Sequence, residues 1–207
     1  MMTERNPSSS HAISLERDRP FKHLTLTERK VLKWMAEGYT NEAIGGTLFL
    51  QEKTVENHIN TIYHKAGITD DPNYNQRVIC VLALMKHTPG FNPGLKSQLD
   101  SCTLVSLTPG QKQIINLVGL GLSNIAIAFR RQLSEKTVEN AINQLLNERI
   151  PLELEAYNPR VTLAYLSQTR HMYDNGLGDT SVGPRTKHER TYVWPGPSHR
   201  HSPRRLN

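Results

Sequence analysis

The hexapeptide Glu-Lys-Thr-Val-Glu-Asn occurs twice in this chain of 207 residues, at residues 52–57 and again at 135–140. The same offset of 83 residues, without a gap, aligns further positions on both sides of it: Leu24 with Leu107, Gly38 with Gly121, Asn41 with Asn124, Tyr74 with Tyr157, and Arg77 with Arg160. A repeat with a fixed period constrains the architecture more than any local signal does. The chain is therefore predicted to contain one structural unit twice, as repeat 1 (residues 24–87) and repeat 2 (residues 107–170).

The segments outside the repeats have the composition of connectors and tails. Residues 1–22 are polar and are predicted to form a flexible arm. Residues 88–106 contain two Pro-Gly turn signals and are predicted to be a linker. Residues 174–207 are rich in proline, glycine and arginine, which predicts a disordered basic tail. The two domains are accordingly placed at residues 23–87 and 107–173.

Charge and membrane signals narrow the class of protein. The net charge is +6, yet repeat 1 is neutral and repeat 2 carries only +2. This distribution favours nucleic acid as a partner without making either unit strongly basic. The sequence has no apolar run of 18 residues and no signal-peptide pattern, which predicts a cytoplasmic protein without membrane contact.

Motifs for catalysis and metal binding are missing from the sequence. Cys80 and Cys102 lack metal-ligand spacing, and Cys80 lies in an apolar run, which predicts a core residue. The histidines of the tail, His188, His199 and His201, have no cysteine or carboxylate partners at ligand spacing. The chain has no phosphate-binding loop, nucleophile motif or paired catalytic carboxylates. A non-enzyme without cofactor or metal is predicted.

Apolar spacing and helix caps predict an all-α fold. Four helices are predicted in repeat 1: one after Thr25 or Thr27 that ends at Gly38, one over 41–48 after Thr40, one over 52–66 before Gly67, and one near 74–86. The third of these carries an apolar stripe of Val55, Ile59 and Ile62. Repeat 2 has the same pattern, with Ser123 and Ser134 as caps. No segment alternates like a strand over any length, so the prediction is two four-helix units.

The second and third helices of each repeat are joined by a short turn, as in a helix-turn-helix. Repeat 1 contains these motifs: Leu24-Thr25, Ala36-Glu37-Gly38-x-Thr40-Asn41-x-Ala43-Ile44, and Thr54-Val55-x-Asn57-His58. Repeat 2 contains related ones: Leu107-Thr108, Gly121-x-Ser123-Asn124, Leu133-Ser134 and Thr137-Val138. On these motifs both repeats resemble the LuxR-type DNA-binding domain, which is also the output domain of NarL-like response regulators. The resemblance implies two tandem helix-turn-helix domains that bind double-stranded DNA.

In that family the third helix enters the major groove, where each base pair displays a distinct pattern of donors and acceptors. The face opposite the apolar stripe then carries the candidate contacts. In repeat 1 these are Lys53, Thr54, Glu56, Asn57, Asn60, Thr61 and His64. In repeat 2 these are Lys136, Thr137, Glu139, Asn140, Asn143 and Gln144, followed by Asn147. Asparagine can bond adenine through two hydrogen bonds, and lysine can reach guanine. The competing interpretation is the ordinary solvated face of an amphipathic helix.

Glu56 and Glu139 depart from the family pattern, which is usually basic at this position. A carboxylate that faces phosphates is unfavourable unless a base-edge donor or a neighbouring lysine takes it up. The expected consequences are a changed sequence preference and weak binding by a single repeat.

The supports of the helices differ from the family as well. Gln51 replaces a capping serine, which is expected to cost about 1 kcal/mol. Gly45 and Gly46 lie inside the second helix, and each is expected to cost roughly 1 kcal/mol relative to alanine. In repeat 2, Arg131 stands where the family buries a leucine, and Phe129 is expected to fill that space.

The fourth helix of such domains commonly supplies the dimer contact, and this leaves two arrangements open. The fourth helices of one chain can pair with each other as an intramolecular pseudo-dimer, which would read two half-sites about 10 bp apart. Alternatively, two chains can form a homodimer through them. The predicted function is a sequence-specific transcription regulator that reads a repeated site with two helices per chain. The alternatives are an adaptor that binds another regulator or RNA polymerase, and a DNA-binding protein of recombination or plasmid maintenance.

Overall fold

The structure, a computed structural model, describes residues 20–101, 107–150 and 154–169. Within these ranges the chain forms nine helices and no strand, which confirms the all-α prediction: α1 (Leu26–Ala36), α2 (Asn41–Leu48), α3 (Glu52–Ala66), α4 (Gln76–His87), α5 (Gly94–Ser101), α6 (Pro109–Gly119), α7 (Asn124–Arg131), α8 (Glu135–Arg149) and α9 (Pro159–Leu166). Helices α6, α7 and α8 have the limits of α1, α2 and α3 shifted by 83 residues, and α9 begins where that shift places the start of α4. Among the described helices, none is both long and apolar enough to span a membrane.

Side-chain caps fix where these helices begin. Thr25, rather than Thr27, caps α1 in a capping box with Glu28. Thr40, Ser123 and Ser134 cap α2, α7 and α8 as predicted. Helix α4 begins two residues later than predicted, because Asn75 is its cap and accepts a hydrogen bond from Val78 N at 3.0 Å. At the other end of α3, Gly67 ends the helix as predicted and adopts a left-handed conformation, with φ of 69°.

The segment predicted as a linker contains a helix that the sequence pattern did not indicate. Helix α5 buries Leu95 and Leu99 almost completely and packs against α9. Its start is held by Glu37, whose Oε2 accepts a hydrogen bond from Gly94 N at 2.6 Å. Two leucines at i, i+4 are too weak a local signal to predict a helix. The helix therefore depends on its tertiary contacts.

The end of the predicted arm is also involved in packing. Residues 20–23 form a turn, Phe21 packs against the core, and Lys22 O accepts a hydrogen bond from Arg29 Nη2 at 3.1 Å. The predictions for residues 1–19, for Cys102 and for the tail at 174–207 lie outside the described residues. Cys80 is fully buried, as predicted, and burial raises the pKa of its thiol.

The two repeats share one core, since their buried apolar side chains form a single continuous cluster. All described residues fall within one compact unit. The fourth helices α4 and α9 contact each other, and Tyr165 on α9 donates a hydrogen bond from its hydroxyl to the carbonyl of Ala36 in repeat 1. Each repeat is therefore stabilised by apolar packing and hydrogen bonds with the other.

Backbone hydrogen bonds between the repeats occur in reciprocal pairs. Thr40 N donates to Ala156 O at 2.9 Å, and its repeat-2 equivalent Ser123 N donates to Asn73 O at 2.9 Å. Two further bonds follow the same rule: Asn158 N to Gly38 O at 2.7 Å, and Asn75 N to Gly121 O at 2.8 Å. The segments involved, 38–41 and 73–75 of repeat 1 with 121–124 and 156–158 of repeat 2, are named the inter-repeat junction. Reciprocal contacts of this kind are the mark of an approximate two-fold relation, whereas a simple translation would give one-way contacts.

Gly45 and Gly46 are neighbours in α2 but have different surroundings. A Cβ atom at Gly45 would lie 2.6 Å from the carbonyl oxygen of Leu50, whereas no atom lies within 4 Å of one at Gly46. The prediction that each glycine only lowers the stability of the helix is therefore incomplete for Gly45. Its missing side chain lets the turn between α2 and α3 approach the helix.

We expect opposite effects on stability from alanine at these two positions. Gly46→Ala should raise the free energy of unfolding by roughly 0.5–1 kcal/mol, because alanine restricts the unfolded chain and favours the helix. Gly45→Ala should lower it by about 1 kcal/mol, because the contact with the turn outweighs that gain. Urea denaturation of both variants measures the difference. Equal stabilisation by the two changes would show that the turn relaxes without cost.

Glu28 is a second position with a predictable effect. Its buried carboxylate accepts two hydrogen bonds from Lys65 Nζ, both at 2.8 Å, and one from Thr25 N at 2.7 Å. These partners, with Lys65 first, hold the pKa of Glu28 below its usual range. Gln111 occupies the equivalent position in repeat 2 and keeps the capping box without the charge.

We expect Glu28→Gln to lower the free energy of unfolding at neutral pH by roughly 1–2 kcal/mol, because Lys65 loses a charged partner. A carboxylate with a lowered folded-state pKa contributes stability above its unfolded-state pKa, and this contribution is lost as the pH falls through the folded-state value. The stabilities of wild type and variant should therefore converge in acid. Urea denaturation at a series of pH values tests this, and a gap independent of pH would contradict it.

Candidate nucleic-acid interface

Helices α3 and α8 each bury one apolar stripe and expose the opposite face. Val55, Ile59 and Ile62 of α3 are buried, as are the equivalent residues of α8, Val138, Ile142 and Leu145. Both stripes agree with the prediction. Since residues three and four apart share a helix face, burial of these positions fixes which side chains remain in solvent.

The predicted contact residues lie on these outward faces. In α3 the exposed ones are Lys53, Asn57, Asn60, Thr61 and His64, whereas Thr54 and Glu56 are half-buried. In α8 all of them are exposed: Lys136, Thr137, Glu139, Asn140, Asn143, Gln144 and Asn147. The structure thus brings each predicted set together on one helix face. Their contact with DNA stays a prediction.

Each outward face contains a lysine–glutamate ion pair. Lys53 Nζ lies 2.9 Å from Glu56 Oε2, and Lys136 Nζ lies 2.9 Å from Glu139 Oε2. Each of the two unusual carboxylates is therefore paired with a lysine of its own helix. Exposed pairs of this kind contribute little stability, so either lysine can leave its partner for another acceptor.

The asparagines of both faces keep their hydrogen-bonding groups available. Within the described residues, no partner bonds to the side-chain amides of Asn57, Asn60, Asn140 or Asn143. Each amide offers two donors and one acceptor, the set needed to bond the edge of adenine.

The starts of the two helices differ. Ser134 Oγ accepts a hydrogen bond from Thr137 N at 3.0 Å, but Gln51 makes no side-chain cap bond. The prediction that α3 lacks a cap is confirmed. The equivalent amide of α3, Thr54 N, donates instead to the backbone carbonyl of Gln51 at 2.9 Å, so the first turn of α3 is held without a side-chain cap.

Arg77 and Arg160 are candidate positioning residues that the sequence analysis missed. Arg77 on α4 donates from Nη1 to Asn41 Oδ1 at 2.7 Å and from Nη2 to Tyr39 O at 2.5 Å. Arg160 on α9 makes the equivalent bonds to the side chain of Asn124 and the carbonyl of Leu122. Burial lowers the pKa of both arginines, that of Arg160 to about 10, so Arg160 stays charged at neutral pH.

These arginines connect the fourth helix of each repeat to the start of its second helix, at the inter-repeat junction. The placement of α2 and α7 is therefore coupled to the packing of α4 against α9. The signal in the sequence was the recurrence of both partners, arginine and asparagine, at the 83-residue offset.

Helix α7 has an apolar outward face without counterpart in repeat 1. Phe129 is 85% exposed and Ile125 is 53% exposed, and repeat 1 has Gly46 and Glu42 at these positions. The expectation that Phe129 fills the space of a buried leucine is wrong. Its position on α7 lies opposite the buried Ile127, so the helix geometry directs its ring into solvent.

Comparison with known proteins places repeat 1 in a family. Residues 22–75 match the family described as bacterial regulatory proteins, luxR family. The transcriptional regulatory protein DegU of Brevibacillus brevis is 41% identical over 56 residues, which cover 27% of this chain and 24% of DegU. The transcriptional regulatory protein LiaR of Bacillus subtilis is 43% identical over 51 residues, 25% of this chain and 24% of LiaR.

A third relative is the DNA-binding transcriptional activator DevR/DosR of Mycobacterium tuberculosis, 40% identical over 53 residues that cover 26% of this chain and 24% of that protein. The chain thus spans about a quarter of the length of these relatives. No solved structure matches it. The matched segment contains α1, α2 and α3, with the capped second helix, the turn and the exposed third helix described above. Residues 22–75 form a LuxR-family helix-turn-helix domain.

Proposed function

We propose that the chain is a DNA-binding transcription regulator and not an enzyme, with two recognition helices, α3 and α8, acting as an intramolecular pseudo-dimer. Repeat 2 acts as a second LuxR-type domain. The observation that carries the proposal is the recurrence of lysine, threonine, glutamate and two asparagines at the same outward positions of both helices. Similarity to DNA-binding regulators over repeat 1 supports it. In this proposal the two domains span residues 23–87 and 107–173.

The reciprocal junction contacts support one particular arrangement of the half-sites. Because the repeats exchange equivalent hydrogen bonds, their recognition helices are related by an approximate two-fold rotation. A two-fold reader places its helices in major grooves about one helical turn apart on inverted half-sites. The expected operator is therefore an inverted repeat, read by one chain.

Electrostatics favour use of both repeats together. Repeat 1 has no net charge, and its recognition lysine is paired with Glu56. Few free positive charges mean weak attraction to phosphates by either repeat alone. Covalent linkage makes the second binding step intramolecular, and so offsets the weak single contacts.

Selection of bound sequences from a random DNA pool by the full-length protein tests the proposal. We expect enrichment of a site with two inverted, related half-motifs and an affinity that falls steeply with salt. The contribution of each repeat is measured with full-length variants in which one recognition helix is disabled. Isolated repeats are unsuitable for this, because the two repeats share a core. Failure to enrich any motif at low salt would contradict the proposal.

The apolar face of α7 favours a second candidate function, an adaptor for another regulator or RNA polymerase. Phe129, Leu122 and Tyr74 line a cavity of about 290 Å³ together with Arg130 and Asp71, which suits a segment with an apolar anchor. Binding of purified RNA polymerase after nuclease treatment, compared between wild type and Ile125→Ser with Phe129→Ser, tests it. Equal binding by wild type and variant would exclude this face as the docking site.

A further inference from the structure

The two recognition faces are alike over their first half and different over their second. Five candidate contact residues in the first half of α3 recur without change in α8, namely Lys53, Thr54, Glu56, Asn57 and Asn60. The half-buried His58 is replaced by Ala141. Beyond Asn60, Thr61 is replaced by Gln144, and His64 is replaced by Asn147. All four of these side chains are exposed. The difference therefore lies on the surface that the proposed function assigns to DNA.

The replaced residues also present different chemistry. Thr61 donates its hydroxyl hydrogen to Asn57 O of its own helix at 2.9 Å, so it offers a methyl group and an acceptor to a ligand. Gln144 has a longer side chain whose amide donates a hydrogen bond to Glu148 Oε2 at 2.9 Å. An amide can bond an adenine edge through two hydrogen bonds, whereas a hydroxyl already used within its helix cannot.

The turns of the two helix-turn-helix motifs differ in charge as well. Repeat 1 has Thr47 and Leu48 at the end of α2, where repeat 2 has Arg130 and Arg131 at the end of α7. Both arginines are exposed, and no other described residue bonds to their side chains. From the start of the second helix to the end of the third, repeat 1 has two basic and three acidic residues, and repeat 2 has four and three.

We propose that this chain binds a non-palindromic operator in one fixed orientation, with repeat 2 as the stronger phosphate contact. The proposal rests on the proposed function and adds the identity of the residues that set the orientation. Identical faces on a two-fold scaffold would bind the two halves of a site interchangeably. Here the two halves of the site are distinguishable, because α3 presents Thr61 and His64 where α8 presents Gln144 and Asn147. The end of the site bound by repeat 2 is anchored by Arg130 and Arg131.

The expected operator has two inverted halves that agree at the positions read by the first turns of α3 and α8 and differ at the positions read by their last turns. One good side-chain-to-base pair discriminates by about 5-fold to 150-fold. Wild type should therefore bind the natural pair of halves more tightly, by a factor in this range, than a site made of either half twice.

A residue swap in the full-length protein tests the orientation. Thr61→Gln with His64→Asn gives α3 the face of α8, and this variant should prefer the site made of two repeat-2 halves. The reverse change, Gln144→Thr with Asn147→His, should prefer the other symmetric site. Gln113→Thr on the exposed side of α6 is the control and should keep the wild-type ranking. If the selected operator is a true palindrome, or the swaps leave the ranking unchanged, the orientation proposal is wrong although DNA binding stands.

The anchoring role has a separate measurement. Each phosphate contact makes the fall of log affinity with log salt steeper by about 0.9. Arg130→Thr with Arg131→Leu, which introduces the residues of repeat 1, should make that fall less steep by about 1.8. An unchanged slope would contradict the anchor. Absence of any salt-dependent specific binding by wild type would instead contradict the proposed function itself.

Discussion

Asn57→Ala combined with Asn140→Ala is expected to weaken specific binding of the selected operator by roughly 30-fold to 20,000-fold. Each asparagine that bonds an adenine edge is worth roughly 1–3 kcal/mol of discrimination, and one is lost from each recognition helix. Both side chains are exposed and have no partner among the described residues. Their loss therefore removes only a contact with a ligand.

Stability and non-specific binding separate this effect from unfolding. Alanine favours a helix more than asparagine does, so the free energy of unfolding should not decrease. The salt dependence of non-specific binding should also persist, because the phosphate contacts remain. Gln113→Ala on α6 changes an exposed amide away from the recognition helices and should leave the affinity unchanged. Wild-type affinity in the double variant would mean that these amides face only solvent.

The second large effect is expected at the inter-repeat junction. Gly121 has φ of 80°, and a Cβ atom there would lie 2.4 Å from Cδ1 of Ile79 in repeat 1. Gly121→Ala should lower the free energy of unfolding by roughly 2–4 kcal/mol, through backbone strain and overpacking together. Gly110→Ala is the control, because no atom lies within 4 Å of an added Cβ there.

Cooperativity is the sharper readout of this variant. Trp34 of repeat 1 contacts Tyr39 of the junction, with ring centroids 5.3 Å apart. Trp194→Phe removes the other tryptophan of the chain. In that background the fluorescence of Trp34 reports on repeat 1, whereas far-UV circular dichroism reports on both repeats. Because the repeats share a core, both signals should shift together in urea. A fluorescence transition unmoved by Gly121→Ala, beside a shifted circular dichroism transition, would show that the repeats unfold separately.

Local structure followed from the sequence because its causes are local. The limits of α3 were predicted to the residue, since the apolar period and Gly67 act within a few positions. The start of α4 was misplaced by two residues, because Asn75 and neighbouring polar residues compete as caps. Helix α5 was missed because Leu95 and Leu99 acquire their importance only through contact with α9.

In the candidate site, too, features with local causes could be predicted from the sequence and features that depend on distant contacts could not. The outward residues of α3 and α8 could be named in advance, because burial of one helix face determines the other. The roles of Arg77 and Arg160 could not, since their partners lie 36 to 38 residues away along the chain. Phe129 was misplaced because an apolar residue is usually buried, and only the packing of α7 shows that this one is not.

The sequence by itself determined the duplication, the helical class and the side chains that each third helix exposes. These properties depend on period, caps and composition, which are written in consecutive residues. Only the tertiary structure decided how the repeats meet, because backbone groups at Gly38 and Asn158, or at Asn75 and Gly121, are chemically like any others until the fold brings them within hydrogen-bond distance. These contacts between the repeats give α3 and α8 one shared core and an approximate two-fold relation.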